Sequence, residues 1–140
     1  MKNQGDKSFK VVQALAPASY AAAAEAFTSG IDCQGFDELL VILHCGVFTA
    51  TGDLTCQLEE SSDDADADSY ADITGATFSE VTVSNDNTDY VGRIDLAKRE
   101  RYIRLGYDVD DDDGIFGVTF ILSNAKVRPV TQINTVSFSV

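Results

Sequence analysis

His44 is the single histidine of the 140-residue chain, so any Ser-His-Asp or Cys-His system would have to be assembled around it. It sits inside the most apolar run of the sequence, which favours a packed or edge histidine held by a neighbour. Cys45 follows directly and therefore points to the opposite face of a strand carrying both. It cannot be the nucleophile that His44 activates. Zinc would need several His or Cys ligands, and one histidine with Cys33, Cys45 and Cys56 at irregular spacings does not supply them. Three cysteines in a reducing compartment read as small core residues, and a Cys45–Cys56 bridge across a hairpin is disfavoured there.

Carboxylates are the commonest reactive groups, in two runs: Glu59, Glu60, Asp63, Asp64, Asp66 and Asp68, then Asp108 and Asp110 to Asp113. Calcium takes such oxygens, yet neither run has the twelve-residue spacing and terminal glutamate of an EF-hand. The stretches Asp108–Gly114 and Ser61–Ser69 read as solvated acidic loops. Nothing marks two carboxylates as facing each other across a cleft, so a glycosidase is not supported. No cofactor or metal is expected.

The basic residues are more informative. Residues 11 to 92 contain no Lys or Arg, and Arg93, Lys98, Arg99, Arg101 and Arg104 then form a basic island. It reads either as an edge guarded by charge or as a docking face for an acidic surface. On the docking reading Arg93, Arg99, Arg101 and Arg104 carry the contact; if the strand starts as early as residue 99, Arg99 and Arg101 share one face and Arg104 takes the other. The net charge of −13 argues against direct nucleic-acid binding and against anionic membranes. No apolar stretch is long enough to span a bilayer, and the first ten residues lack the apolar core of a signal peptide, so a cytoplasmic origin is expected.

These side chains must be positioned by strands. Turn signals recur at short intervals, including Thr51-Gly52-Asp53, Ser84-Asn85-Asp86-Asn87 and Asp113-Gly114, as in an all-β sandwich or barrel. Phe36 to Phe48 carries apolar residues on both faces and predicts a central, doubly covered strand. Leu54 to Leu58 alternates and is expected to pair back on it after the Gly52 turn. Further strands are expected over 77–83, 90–94, 101–105 and 115–122. Residues 21–26 have helix propensity in too short a window, which favours extended structure. The expected organisation is an arm over 1–10, a β-sandwich over 11–129 and a C-terminal arm over 130–140. In that arm Val136, Phe138 and Val140 alternate with polar residues and could add a strand to a sheet edge.

Four blocks in order, Leu15-Ala-Pro-Ala-Ser-Tyr20, Ile31-Asp-Cys-Gln-Gly35-Phe36-Asp37, Leu58-Glu-Glu-Ser-Ser-Asp-Asp64 and Lys98-Arg-Glu-Arg-Tyr102-Ile-Arg104-Leu, resemble the capsid cement (decoration) proteins of tailed bacteriophages. The resemblance spans roughly residues 11 to 130. The Ala21–Ala24 run and the tail past residue 130 depart from the usual pattern. The resemblance implies a jelly-roll fold and a non-enzymatic role on the outside of a capsid, bridging neighbouring capsomers of the major capsid protein. The alternating tail and the split charge lead to the expectation of a homodimer or higher oligomer. A carbohydrate- or ligand-binding β-sandwich module of a phage tail or fibre is the alternative. It is weakened by the absence of Trp for sugar stacking. A cupin-type enzyme would need a histidine cluster that the chain lacks.

Overall fold

The computed structural model describes residues 8–128 and 130–132. Among the described residues ten strands run in chain order: β1 Lys10–Tyr20, β2 Ala23–Phe27, β3 Ile31–Asp32, β4 Glu38–Phe48, β5 Asp53–Ser61, β6 Ala71–Thr77, β7 Val81–Thr82, β8 Asp89–Asp95, β9 Tyr102–Asp110 and β10 Gly114–Ser123. A 3-10 turn over Leu96–Lys98 joins β8 to β9, its first turn capped by the Asp95 carboxylate, which accepts from the Ala97 N–H.

A four-stranded sheet has the order β1-β10-β4-β8. A six-stranded sheet has the order β2-β9-β5-β6, with β3 also on β9 and β7 also on β5. Setting the short β3 and β7 aside, the remaining strands in chain order fall as 1-8-3-6 and 2-7-4-5. The pairs are nested, first with last and second with seventh, as when one long antiparallel ribbon is wound around a core. That is the jelly roll.

The core lies between the sheets. Leu39, Val41 and Leu43 of β4 and Phe116, Val118, Phe120 and Leu122 of β10 face Leu54, Cys56 and Leu58 of β5 and Ile103, Leu105 and Val109 of β9. Each set is one face of an alternating strand, so period-two patterning does most of the specification.

Two expectations about β4 and β5 are corrected. Leu40 and Ile42 are half-buried and His44 is exposed, so β4 is covered on one face only. The β4–β5 turn, closed by the Gly52 N–H on the Thr49 carbonyl (2.7 Å), does not make a hairpin. It carries the chain from one sheet to the other, where β5 pairs with β9, β6 and β7. Two strands whose apolar faces must oppose each other across the core cannot lie side by side.

The expected strand over 77–83 is also corrected. The chain is extended over Ala71–Thr77, breaks at Phe78 to Glu80 and resumes for Val81–Thr82. Asp108 and Asp110 belong to β9 rather than to a loop. Residues 23–27 are extended, as expected, because β9 offers a partner that a short helix would not have.

Gly117 is required by close approach. A Cβ there would lie 2.8 Å from the Pro17 Cα of β1, where β1 bulges between Leu15 and Ala18. Pro17 occupies an edge strand at a bulge, a place where its missing N–H is tolerated.

Candidate functional site

Strand direction gathers the cations at one end of the sandwich, where they share the space with Asp32, Asp37 and the acidic loop over Asp63–Asp68. At one end of the sandwich lie Lys10, the 96–101 connection with Lys98, Arg99 and Arg101, and the residues after β10 with Lys126 and Arg128. The opposite end holds Asp53, Glu80, Asp86, Asp89, Asp108 and Asp110 to Asp113, with no Lys or Arg among the described residues. Partial burial raises the Asp53 carboxyl above its ordinary range, with Glu80, Asp110, Asp111 and Asp108 adding to it.

The basic island does not form one face. Arg93 lies on edge strand β8 with its side chain 72% exposed and its Nε a loose 3.5 Å from Glu38 Oε2. Arg99 follows the 3-10 turn, outside any strand, and donates to Glu60 Oε1 at 3.1 Å. Arg101 donates from Nε and Nη2 to the two Asp32 oxygens at 3.0 and 2.7 Å. Arg104, on β9, donates to Glu59 Oε2 at 2.6 Å and lies over the Phe27 and Tyr70 rings. Because β9 begins at Tyr102, the premise that Arg99 and Arg101 share a strand face fails. Arg93, Lys98, Arg101, Lys126 and Arg128 are all exposed, and of these Arg101 pairs with Asp32 and Lys126 with Asp37 at 3.3 Å. Val136, Phe138 and Val140 lie outside the described residues.

The Asp32–Arg101 pair gives a pH prediction. Hydrogen bonding to Arg101 holds the Asp32 carboxyl below its ordinary value despite partial burial. A depressed folded-state value stabilises above the unfolded value of about 4 and loses that contribution as pH falls through the folded value. Thermal melts from pH 5 downward should fall less steeply for Asp32→Asn than for the parent.

Glu59 and Glu60 of the first acidic run belong to β5, and the rest, Asp63 to Asp68, forms an ordered loop. Ser61 is fully buried. Its Oγ donates to the Asp68 carbonyl at 2.7 Å and accepts from the Ala65 N–H at 3.0 Å. The Asp63 carboxylate accepts from the Ala67 and Asp68 N–H groups, and the Asp68 carboxylate from the Ser62 N–H. These backbone bonds hold both carboxyls below their ordinary range. The carboxylates are engaged in building their own loop. Ser61→Ala should cost about 1 kcal/mol by removing the buried hydroxyl that ties the part-buried Asp68 carbonyl and Ala65 N–H together, read as a lower urea midpoint at unchanged slope.

His44 lies on the outer face of β4, half-exposed, with Nδ1 2.9 Å from Asp89 Oδ1. Cys33, Cys45 and Cys56 are free and buried, and burial pushes their thiols up, to about 12 for Cys33 and about 11 for Cys45. Thiols so shifted are poor nucleophiles at neutral pH. Among the described residues no group of three or more His, Cys, Asp or Glu is placed to hold a metal, and no helix is long and apolar enough to cross a membrane.

A slot of about 480 Å³ opens between β6 and β8, the adjacent free edges of the two sheets. Leu58, Ile73, Phe78, Tyr90 and Ile94 line it, with Arg93, Asp95 and Arg99. Sequence reading did not anticipate it, because β6 was not foreseen as a strand.

No protein-family model matches the chain, and no curated protein matches it. Solved structures do. The PBSX exported protein XepA superposes with a TM-score of 0.58 at 14% identity, over 100% of this chain and 44% of that one. The chain thus spans less than half the length of XepA. The SPBc2 prophage-derived protein YomS gives a TM-score of 0.41 at 13% identity, over 79% of this chain and 96% of that one. The CBM22-1 xylan-binding domain from Paenibacillus barcinonensis Xyn10C gives 0.38 at 12% identity, over 84% and 86%. At 14% identity the likeness to XepA is one of fold alone.

Proposed function

We propose that the chain is a non-enzymatic virion structural protein. It binds the outside of a phage capsid and cements neighbouring major capsid proteins, after synthesis in a bacterial cytoplasm. The observation that carries this reading is the strand order itself. The four sequence blocks resemble cement proteins and imply a jelly roll, and the jelly roll is the fold found. The blocks map onto β1, the β3–β4 connection, the end of β5 with its ordered loop, and the start of β9. The partners are the capsid surface and further copies of the chain, with no direct contact to nucleic acid or membrane. Docking is assigned to the exposed cations Arg93, Lys98 and Arg128 at the end of the sandwich that carries them, and to the arm over 130–140. Arg99, Arg101 and Arg104 act behind them as internally paired supports.

Co-sedimentation with heads of the phage that encodes the chain tests the proposal. Saturable binding and heads that resist heat better when coated are expected. Joint reversal of Lys98 and Arg128 to Glu should slow association and steepen its loss with salt. Deletion of 131–140 should mainly speed dissociation, because strand addition contributes backbone hydrogen bonds and pockets. Absence of binding to heads would sink the reading.

The tail or fibre binding module keeps one observation in its favour, the β6–β8 slot with Phe78 and Tyr90 in its lining. Its size suits a small ligand. Glycan-array binding abolished by Tyr90→Ala, without binding to heads, would favour that module instead.

A further inference from the structure

Each sheet of the sandwich has two outer strands, and these differ. β2 is only five residues long, and its register with β9 shifts between Ala23 and Ala26. β6 is distorted between Gln57 and Glu59 of its partner strand, with Gly75 at φ +82. β1 carries a bulge and Pro17, and the Gln132 side chain bonds the Phe9 carbonyl and the Val11 N–H along it. β8 has none of these protections. Its register with β4 is unbroken from Glu38↔Asp95 to His44↔Asp89, and Val91 on it is 61% exposed. A regular strand with an exposed apolar residue at its middle is the kind of edge that pairs with another chain.

The ladder fixes which backbone groups are free. The Cys45 N–H donates to the Thr88 carbonyl at 3.1 Å and the Leu96 N–H to the Asp37 carbonyl at 2.9 Å. Hydrogen-bonded pairs alternate along an antiparallel ladder, so the even-numbered residues from Thr88 to Leu96 turn their N–H and C=O toward β4. Asp89, Val91, Arg93 and Asp95 turn theirs to the open edge.

We propose that β8 pairs antiparallel with β8 of a second copy about a two-fold axis at Val91, joining two four-stranded sheets into one of eight strands. The proposal rests on the self-association part of the functional reading and names its surface. Charge selects the register. Centring on Val91 sets Asp89 opposite Arg93 of the second copy, twice by symmetry, with Val91 against Val91. Centring on Gly92 would set Asp89 opposite Asp95, and centring on Arg93 would oppose two arginines. Centring on Tyr90 would leave Arg93 without an acidic partner. The Val91 register also brings Tyr90 opposite Gly92 of the second copy on the inner side, an aromatic ring beside a glycine. Asp89 and Arg93 are 64% and 72% exposed, and their present partners, His44 and Glu38, lie on the outer face of β4, so both can reach across the new pair. An isologous contact of this kind closes at two copies.

Sedimentation of the full chain at micromolar concentration tests it without particles present. The parent should be a dimer. Asp89→Arg and Arg93→Asp should each raise the dimer dissociation constant about tenfold or more, since each turns two favourable cross-strand pairs into repulsive ones. The double variant should return to within about threefold of the parent, as the opposite charges meet again. Val91→Pro should be monomeric, because it removes an outward N–H and no bond to β4. Thermal melts confirm that each variant is folded, and the charge-swap set decides the matter even if Val91→Pro unfolds. A monomeric parent, a double variant no tighter than the singles, or a folded Val91→Pro as dimeric as the parent would overturn the proposal. Because association is read in solution, failure to bind heads would sink the docking reading while leaving this result readable.

Discussion

Truncating Phe116 to alanine should lower the unfolding free energy by about 3–5 kcal/mol, among the largest losses any single core change would give. Phe116 is 1% exposed at the centre of an aromatic cluster. Its ring centroid lies 4.7 Å from Tyr20, 5.6 Å from Tyr107 and 6.4 Å from Phe48. The cluster joins β1, β4, β9 and β10, so the cavity would open between the two sheets, where neither can collapse without disturbing the other. β10 is bonded on both sides, to β1 and to β4, with a register shift between Gly114 and Phe116, which further limits relaxation. Phe116→Leu should lose much less, since it keeps most of the apolar volume. Urea unfolding checks this: a lower midpoint at unchanged slope for both variants, with alanine far below leucine.

How much of this was legible depends on how local the cause is. β4 and β10 announce themselves as long apolar runs, and their alternation gives the buried face residue by residue. β1 and β6 do not. Ala16-Pro17-Ala18-Ser19 and Ala71-Asp72-Ile73-Thr74-Gly75 are small or polar because each lies at an edge with one half-solvated face. The Gly52 turn was misread for a different reason: a tight turn between alternating runs looks the same whether the next strand sits beside the first or across the core. Only the global count of apolar faces decides, and that is not a local signal. The basic island was legible as composition and not as geometry. Its carboxylate partners, Asp32, Glu59 and Glu60, come from 39 to 69 residues away and reach it only through the β3–β9 and β5–β9 pairings. Glu59 and Arg104 alternate with the buried Leu58 and Leu105, so each falls on the outer face of its strand, where a charge raises no local flag.

Arg104→Ala should destabilise the fold by about 2–4 kcal/mol while leaving docking to an acidic partner unchanged in the molecules that remain folded. The guanidinium is 4.0 Å from the Phe27 ring centroid and 4.1 Å from that of Tyr70, with Nε on Glu59. It therefore ties β2, β5 and the residue just before β6 to β9. Removing it strands the Glu59 carboxylate, whose side chain is only 13% exposed, and leaves two rings without their cation. A surface ion pair would be worth well under 1 kcal/mol, so the size of the loss separates the two roles. Arg104→Lys should recover only part of it, because an ammonium cannot lie flat between two rings and donate sideways to a carboxylate at once. Arg104→Met with Glu59→Gln should recover more than Arg104→Met alone, since no charge is then left buried. The readout is the pair of denaturation midpoints set beside head binding under conditions where every variant is folded. A loss of binding at full stability would return Arg104 to the docking face, and a loss of stability at full binding would place it in the frame that holds that face.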